Sequence, residues 1–256
     1  MGCVIFIGAG PGSADLVTVR GAQRLASADV VLFDALTDPA LRVHAPNARW
    51  IDVGKRGFEH GTAQARIDAL LVQLAHDHAV VVRLKGGDPS VFGRLEEELL
   101  ALQAAGVPCE VVPGVTAALA AAAQTQRPLT RRGRGRSVCL GTAMTRDGDG
   151  HIRHAADTEV FYMAGRQLPQ LGRRLRDAGW PDDTLVCVVS RAGWPDALCS
   201  DHDLVDLGHA TLLHAGRPTV VTVGAGARRV SVLPATNPGV ASSPHHDKLE
   251  KRQASA

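Results

Sequence analysis

No uninterrupted apolar run in this sequence approaches the ~18 residues that a membrane-spanning helix requires. No basic n-region or cleavage site precedes the first apolar strand, so neither membrane insertion nor export is expected. Cysteine is scarce: Cys3, Cys109, Cys139, Cys187 and Cys199 are odd in number, widely spaced and form no CxxC pair, which removes a disulfide framework. Cys3, Cys109, Cys139 and Cys187 lie inside apolar runs, as small core residues do, and read as structural thiols in a reducing compartment. A cytoplasmic location is expected. The formal net charge of +2 is too mild to imply a polyanionic partner. The one basic run, Arg131, Arg132, Arg134 and Arg136, has no interleaved aromatic residue to stack bases, so nucleic acid is not expected either. No serine sits in a GxSxG elbow, which leaves Ser-His-Asp catalysis without support. The eleven histidines, among them His76, His78, His151, His154, His245 and His246, lie near no cysteine or carboxylate set with ligand spacing. They read as surface residues, and no metal is expected.

What is present is an alternation of short apolar runs with helical patterns. Strands are expected at Cys3–Gly8, Val30–Phe33, Trp50–Val53, Val80–Leu84 and Glu110–Val112, each short and rich in β-branched residues, as buried parallel strands are. Helices fit between them at Thr18–Ser27, Thr62–Ala75 and Arg94–Ala105, followed by an alanine-rich one at Thr116–Ala123. In the second of these, Thr62 is a candidate cap, and Ile67, Leu70, Leu71 and Leu74 make an apolar stripe. Gln124–Arg136 holds Pro128, two glycines and five arginines without apolar periodicity, and reads as a linker or exposed loop between lobes. Strands then recur at Ser137–Leu140, Glu159–Met163, Leu185–Val189 and Pro218–Gly224, with a helix at Leu168–Ala178 and a loop over Thr142–Ala156. The fold class is therefore α/β, with two α/β lobes: an N-terminal lobe over residues 1–128, a C-terminal lobe over 137–232 and a disordered tail over 233–256.

Two glycine-rich loops follow strands, Gly8-Ala9-Gly10-Pro11-Gly12 and Lys85-Gly86-Gly87-Asp88-Pro89. Glycine at a strand's carboxyl end lets a ligand approach the backbone closely. The first loop is half of a dinucleotide fingerprint, but Ser13 stands where the third glycine belongs, and Pro11 removes an N–H that a pyrophosphate would use. In the second loop Asp88 either faces a cationic or hydroxyl-rich ligand or caps the following segment.

Taken with Ala28–Leu36, Val53–Arg56, Val82–Arg94 and Val112–Ala118, these loops resemble the tetrapyrrole methylases. The likeness continues through Pro128–Thr130, Phe161–Met163 and Pro218–Gly224 and covers about residues 3–227. It implies a cleft between two lobes that holds S-adenosyl-L-methionine, in a homodimer. By position, the cofactor would meet Pro11, Gly86, Gly87, Asp88, Val91, Thr116, Ala117, Met163 and Ala192. The resemblance further implies methylation of uroporphyrinogen III at C2 and C7, through precorrin-1 to precorrin-2, with Asp34 as proton acceptor and Lys55 as proton donor. Arg20, Arg56, Arg94, Arg131 and Arg132 could meet the substrate's carboxylates, although each taken singly also reads as a solvated surface charge. The chain departs from the family pattern at Ser13, Arg131 and Leu140–Ala143. A methylase of a later corrin precursor, a nicotinamide-dependent oxidoreductase and a non-catalytic relative remain open alternatives.

Overall fold

The computed structural model describes residues 1–54, 64–144 and 153–230. In β1 (Cys3–Gly8), Val4 and Phe6 enter the core on one face, Ile5 and Ile7 on the other, and all four are buried. A strand covered on both faces suits a parallel sheet. With β2 (Val30–Phe33), β3 (Arg49–Asp52), β4 (Val80–Lys85) and β5 (Cys109–Val112) it forms one in the order β3-β2-β4-β1-β5, every pair parallel. α1 (Val19–Leu25) and a 3-10 segment, Pro39–His44, cover one face through Leu25 and Leu41. α2 (Gln64–Asp77) and α3 (Leu95–Ala104) cover the other through Ile67, Leu71, Leu74 and Leu102. Burying each such leucine is worth roughly 1.5–3 kcal/mol. Helix propensities differ by at most ~0.7 kcal/mol among ordinary residues, so packing fixes these helices.

Parallel strands bring their carboxyl ends to one edge. β1 and β4 are neighbours, yet β1 continues past β4 to β2, whereas β4 continues past β1 to β5. Open α/β sheets bind ligands in the crevice at such a reversal. Both glycine loops emerge there.

After α4 (Ala117–Gln124), the second half contains β6 (Val138–Thr142), β7 (Thr158–Tyr162), α5 (Leu168–Asp177), β8 (Leu185–Ser190), β9 (Leu198–Asp203), α6 (Thr211–His214) and β10 (Thr219–Gly224). Its sheet runs β6-β7-β10-β8-β9, with β6 and β7 parallel and the other neighbours antiparallel. α5 seats Leu168, Leu171 and Leu175 on Phe161, Val186, Val188, Val221 and Val223.

Several expectations change. β9 is missing from the sequence reading because only alternate residues of this edge strand are partly covered, and Ser200, Asp201, His202 and Asp203 conceal it. The 3-10 segments Pro39–His44 and Leu204–Ala210 also went unforeseen. Of the four cysteines assigned to the core, only Cys187 is buried; Cys109 is exposed, and Cys3 and Cys139 are half-buried at the margins of their sheets. The Gln124–Arg136 segment is more than an exposed loop. Arg127 in it is 4% exposed, gives two hydrogen bonds to Asp201 of β9 at 2.5 and 2.8 Å, and gives a third to the carbonyl of Ala227. Residues 145–152 of the expected 142–156 loop, Thr62, His151 and the tail beyond 230 lie outside the described residues.

Among the described residues, His214 is not a surface residue. It is fully buried; its Nδ1 lies 2.9 Å from Ser190 Oγ and its Nε2 2.8 Å from Ser200 Oγ. Burial, reinforced by His202 and Arg217, pushes it down to about 4. The unfolded chain therefore binds the extra proton first, below the ordinary value of about 6.5. Stability is lost as pH falls from there towards 4, by up to about 1.4 kcal/mol per pH unit from this group. Urea unfolding at pH 7 and pH 5 should show a smaller acid loss in His214→Gln than in the parent; equal losses would reject the assignment.

Candidate active site

The two glycine loops are one structure. Gly87 N–H donates to the Gly10 carbonyl at 2.7 Å, Gly10 N–H returns to the Gly87 carbonyl at 3.3 Å, and Ala9 N–H reaches the Lys85 carbonyl at 2.8 Å. Gly8 is needed for this closeness, since a Cβ there would stand 2.4 Å from Gly114 Cα and 2.8 Å from the Gly87 carbonyl oxygen. Ser13 N–H crosses to the Gly193 carbonyl at 2.9 Å, and the Ser13 side chain caps nothing. The amides of Ala9, Gly10 and Ser13 are thus engaged, and Pro11 has none. Little of a pyrophosphate cradle remains, and the element that follows is a three-residue 3-10 turn, Ala14–Leu16. This geometry counts against the dinucleotide reading.

Asp88 acts as a cap, with one acceptor site used on each carboxylate oxygen. One carboxylate oxygen accepts from Ser90 N–H at 2.8 Å and the other from Gly114 N–H at 2.9 Å, tying the loop after β4 to the loop after β5. Gly87, at φ +72°, has nothing nearer than Thr116 Cα, at 4.0 Å, in the direction a Cβ would take. Open space therefore lies beside it. Thr116 Oγ1 and the Tyr162 hydroxyl, at the end of β7 in the second sheet, are 2.8 Å apart. Val91 and Ala117 pack against the cluster of Ala118, Val160, Tyr162 and Val220. Met163 follows Tyr162 in a left-handed conformation (φ +57°) and is half-exposed, while Ala192 is buried beside Gly193, against which the Pro11 ring packs. Contacts thus link the loops after β1, β4 and β5 to one another, and two of them reach the second sheet's half of the chain, at Tyr162 and Gly193.

Asp34 leaves the end of β2 at the same edge. Its Oδ1 accepts from Arg83 Nη2 at 2.6 Å, and Leu36, two residues on, packs against Gly86. Arg83 is in turn held by Glu98 at 3.1 Å, and Lys85 reaches the second oxygen of Glu98 at 2.6 Å. Arg83 and Lys85 are 3% exposed and Glu98 is fully buried. Burial works against the charge on Arg83, but Asp34 and Glu98 outweigh it and raise the guanidinium's pKa. Lys85 is shifted the other way, because burial and neighbouring Arg83 exceed the pull of Glu98. Sequence reading missed this cluster. Arg83 and Lys85 are embedded in a strand, and Glu96–Glu98 reads as a solvated acidic face.

The arginines assigned to substrate are dispersed. Arg20 is exposed on α1, and Arg94 pairs with Glu97 at 2.6 Å with its side chain about half-exposed. Arg131 donates to the Arg228 carbonyl and, with Arg134 and Arg228, lines a separate cavity of about 360 Å³; Arg132 is exposed nearby in sequence. Lys55 and Arg56 lie outside the described residues.

Residues 3–201 match the model of the Tetrapyrrole (Corrin/Porphyrin) Methylases. The chain belongs to the tetrapyrrole methylases. Among curated members, a uroporphyrinogen-III C-methyltransferase of Synechocystis is 42% identical over 77% of this chain and 78% of its own length. An Arabidopsis thaliana enzyme named as an S-adenosyl-L-methionine-dependent uroporphyrinogen III methyltransferase is 39% identical over 87% of this chain and 63% of its own length. The siroheme synthases of Xylella fastidiosa and Psychrobacter arcticus are 38% and 41% identical, and the matched region spans only 48% and 37% of their lengths. Among solved tetrapyrrole methylases, uroporphyrin-III C-methyltransferase from Thermus thermophilus in complex with S-adenyl homocysteine superposes with a TM-score of 0.76 at 34% identity, covering 87% of this chain and 97% of that one. A cobalt precorrin-4 methyltransferase gives 0.77 at 29% identity over 88% and 95%. Among the described residues, no helix is long and apolar enough to cross a membrane.

Proposed function

We propose that this methylase transfers methyl groups from S-adenosyl-L-methionine to C2 and C7 of uroporphyrinogen III, giving precorrin-2 by way of precorrin-1. The observation that carries the reading is the paired glycine loops, which leave open space beside Gly87 at the strand-reversal crevice. That space fits the cofactor: a side chain at residue 87 would fill it, half-exposed Met163 offers a polarizable face for an adenine, and Thr116 offers a hydroxyl. Asp88 fixes the loop and offers its remaining acceptor sites to the cofactor's polar groups. When bound, the sulfonium supplies an already activated methyl group. The protein's share is alignment in a water-poor cleft, where orientation alone contributes roughly 7 kcal/mol or more. Asp34 accepts the proton released as the ring system readjusts, and Arg83 aims its carboxylate. Lys55 is the proposed proton donor. Arginines provide forks for the substrate's carboxylates, with Arg20, Arg56, Arg94, Arg131 and Arg132 as candidates.

In this reading the enzyme is a cytoplasmic homodimer, for which the apolar groove between α4 and β6, lined by Leu119, Ala122, Val138 and Leu140, offers a face. Anaerobic incubation with uroporphyrinogen III and S-adenosyl-L-methionine should add the mass of two methyl groups. An unchanged substrate despite S-adenosylhomocysteine binding would sink the assignment; methylation only of a later corrin precursor would replace it with the second reading, which the likeness to the cobalt precorrin-4 enzyme supports. Asp34→Asn should lower kcat by about 10²–10⁴-fold with the affinity for S-adenosylhomocysteine retained. Unaltered kcat would remove Asp34 from the proton path.

A further inference from the structure

Far from the glycine loops, β8 and the edge strand β9 place two thiols together. Cys187 faces Asp201 in the register and Cys199 faces Val189, so the cysteines are diagonal neighbours, and their sulfurs are 3.7 Å apart. Cys187 is buried, whereas Cys199 is exposed. Arg127 and Arg229 converge on Asp201 beside them.

We propose that Cys187 and Cys199 form a reversible intrachain disulfide on exposure to a hydroperoxide, with Cys199 as the attacking thiol and Cys187 as the resolving one. The division of labour follows from access and charge. Only Cys199 is open to an oxidant. A hydrogen bond from the Cys187 thiol stabilises its thiolate, and Arg127 and Arg229 add positive potential, so its pKa is lowered to about 7 despite partial burial and the nearby carboxylate of Asp201. In the first step the Cys199 thiolate attacks a peroxide oxygen. The O–O bond breaks, the sulfur is oxidised to a sulfenic acid, and the departing oxygen takes a proton to leave as water or an alcohol. In the second step Cys187 sulfur attacks the sulfenic sulfur. The S–O bond breaks, the S–S bond forms, and hydroxide leaves with the Cys187 proton as water. The sulfurs must close by about 1.7 Å to reach disulfide length. Among the described residues β8 is the only strand that pairs with β9, so closure draws this edge strand towards its partner.

A metal would also bring two cysteines together, and Asp201 lies within 4.8 Å of both sulfurs. Its carboxylate, however, already accepts four guanidinium N–H groups, three from one oxygen's partners and one from the other's. A cation arriving there would meet Arg127 and Arg229, whose guanidinium groups already neutralise that carboxylate. Two sulfurs fall short of the four ligands that zinc takes in a structural site.

The test is graded hydrogen peroxide on the reduced full-length protein, read by thiol titration, intact mass and peptide mapping. Reactive thiols should fall from five to three in the unfolded, quenched sample. The chain should lose the mass of two hydrogens, with the crosslink mapped to Cys187 and Cys199 and removed by dithiothreitol. Cys187→Ser should instead accumulate a dimedone-reactive sulfenic acid at Cys199, and Cys199→Ser should form no crosslink. First oxidation at Cys109, stable over-oxidation of Cys199 in the parent, or Zn²⁺ binding that requires both cysteines would each overturn the proposal.

Discussion

Gly87→Ala is expected to weaken S-adenosylhomocysteine binding at least about 100-fold, near 2.8 kcal/mol, while leaving the fold largely intact. The two effects separate because of where the new methyl group goes. Its direction is free of protein, with Thr116 Cα the nearest atom at 4.0 Å, so the unliganded chain meets no clash. The remaining cost is the left-handed backbone at φ +72°, which for an alanine is of the order of 1–2 kcal/mol. The backbone cannot turn the methyl group away without giving up the two hydrogen bonds that pair Gly87 with Gly10. Whatever lies against the glycine must therefore move. Calorimetric titration gives the affinity and urea unfolding the fold. Gly8→Ala is the contrast: its Cβ would fall 2.4 Å from Gly114 Cα, so the loops themselves must separate, and both readouts should collapse. An unchanged affinity in Gly87→Ala would place the cofactor elsewhere.

The difference between these glycines was not legible in the sequence, although the loops were. Apolar β-branched strands ending in glycine marked the crevice, and the buried alternation in β1 shows why that signal was dependable: both faces need apolar residues, so the run is continuous. Asp88 is ambiguous in sequence because a carboxylate suits both a ligand and an Asx turn; its bond to Gly114, 26 residues away, is a cap that no local pattern announces. β9 was hidden for the opposite reason to β1. An edge strand needs little apolar surface, and a run of Ser200, Asp201, His202 and Asp203 carries no strand signature. Charged residues inside the core leave the least trace in the sequence. Glu98 is indistinguishable in sequence from Glu96 and Glu97, yet it is fully buried while both of those are exposed on α3, because only its position on the helix faces Arg83 and Lys85.

Glu98→Ala should accordingly be among the most damaging single substitutions in the protein, lowering stability by about 3–5 kcal/mol. Removing the carboxylate leaves two cations, Arg83 and Lys85, in a site where each is 3% exposed. Asp34 would still face Arg83, but Lys85 would keep no acceptor of its own among the described residues, and the two like charges would repel across the gap. Lys85 can lose its proton, since burial and Arg83 already bias it that way; Arg83 cannot, and it must move or draw in water. Either movement shifts Asp34, whose Oδ1 depends on Arg83 Nη2. The loss should therefore appear twice, as a lower urea midpoint and as a lower kcat in the fraction that remains folded. Arg94→Ala, which breaks the half-exposed pair with Glu97, supplies the control for stability alone, because such pairs contribute about 0–1 kcal/mol. A Glu98→Ala loss below about 1 kcal/mol would mean that the buried cluster is not a structural support of the site. A large loss with unchanged kcat would separate the cluster from Asp34 and leave the turn after β2, closed by Thr37 N–H on the Asp34 carbonyl, to hold that residue.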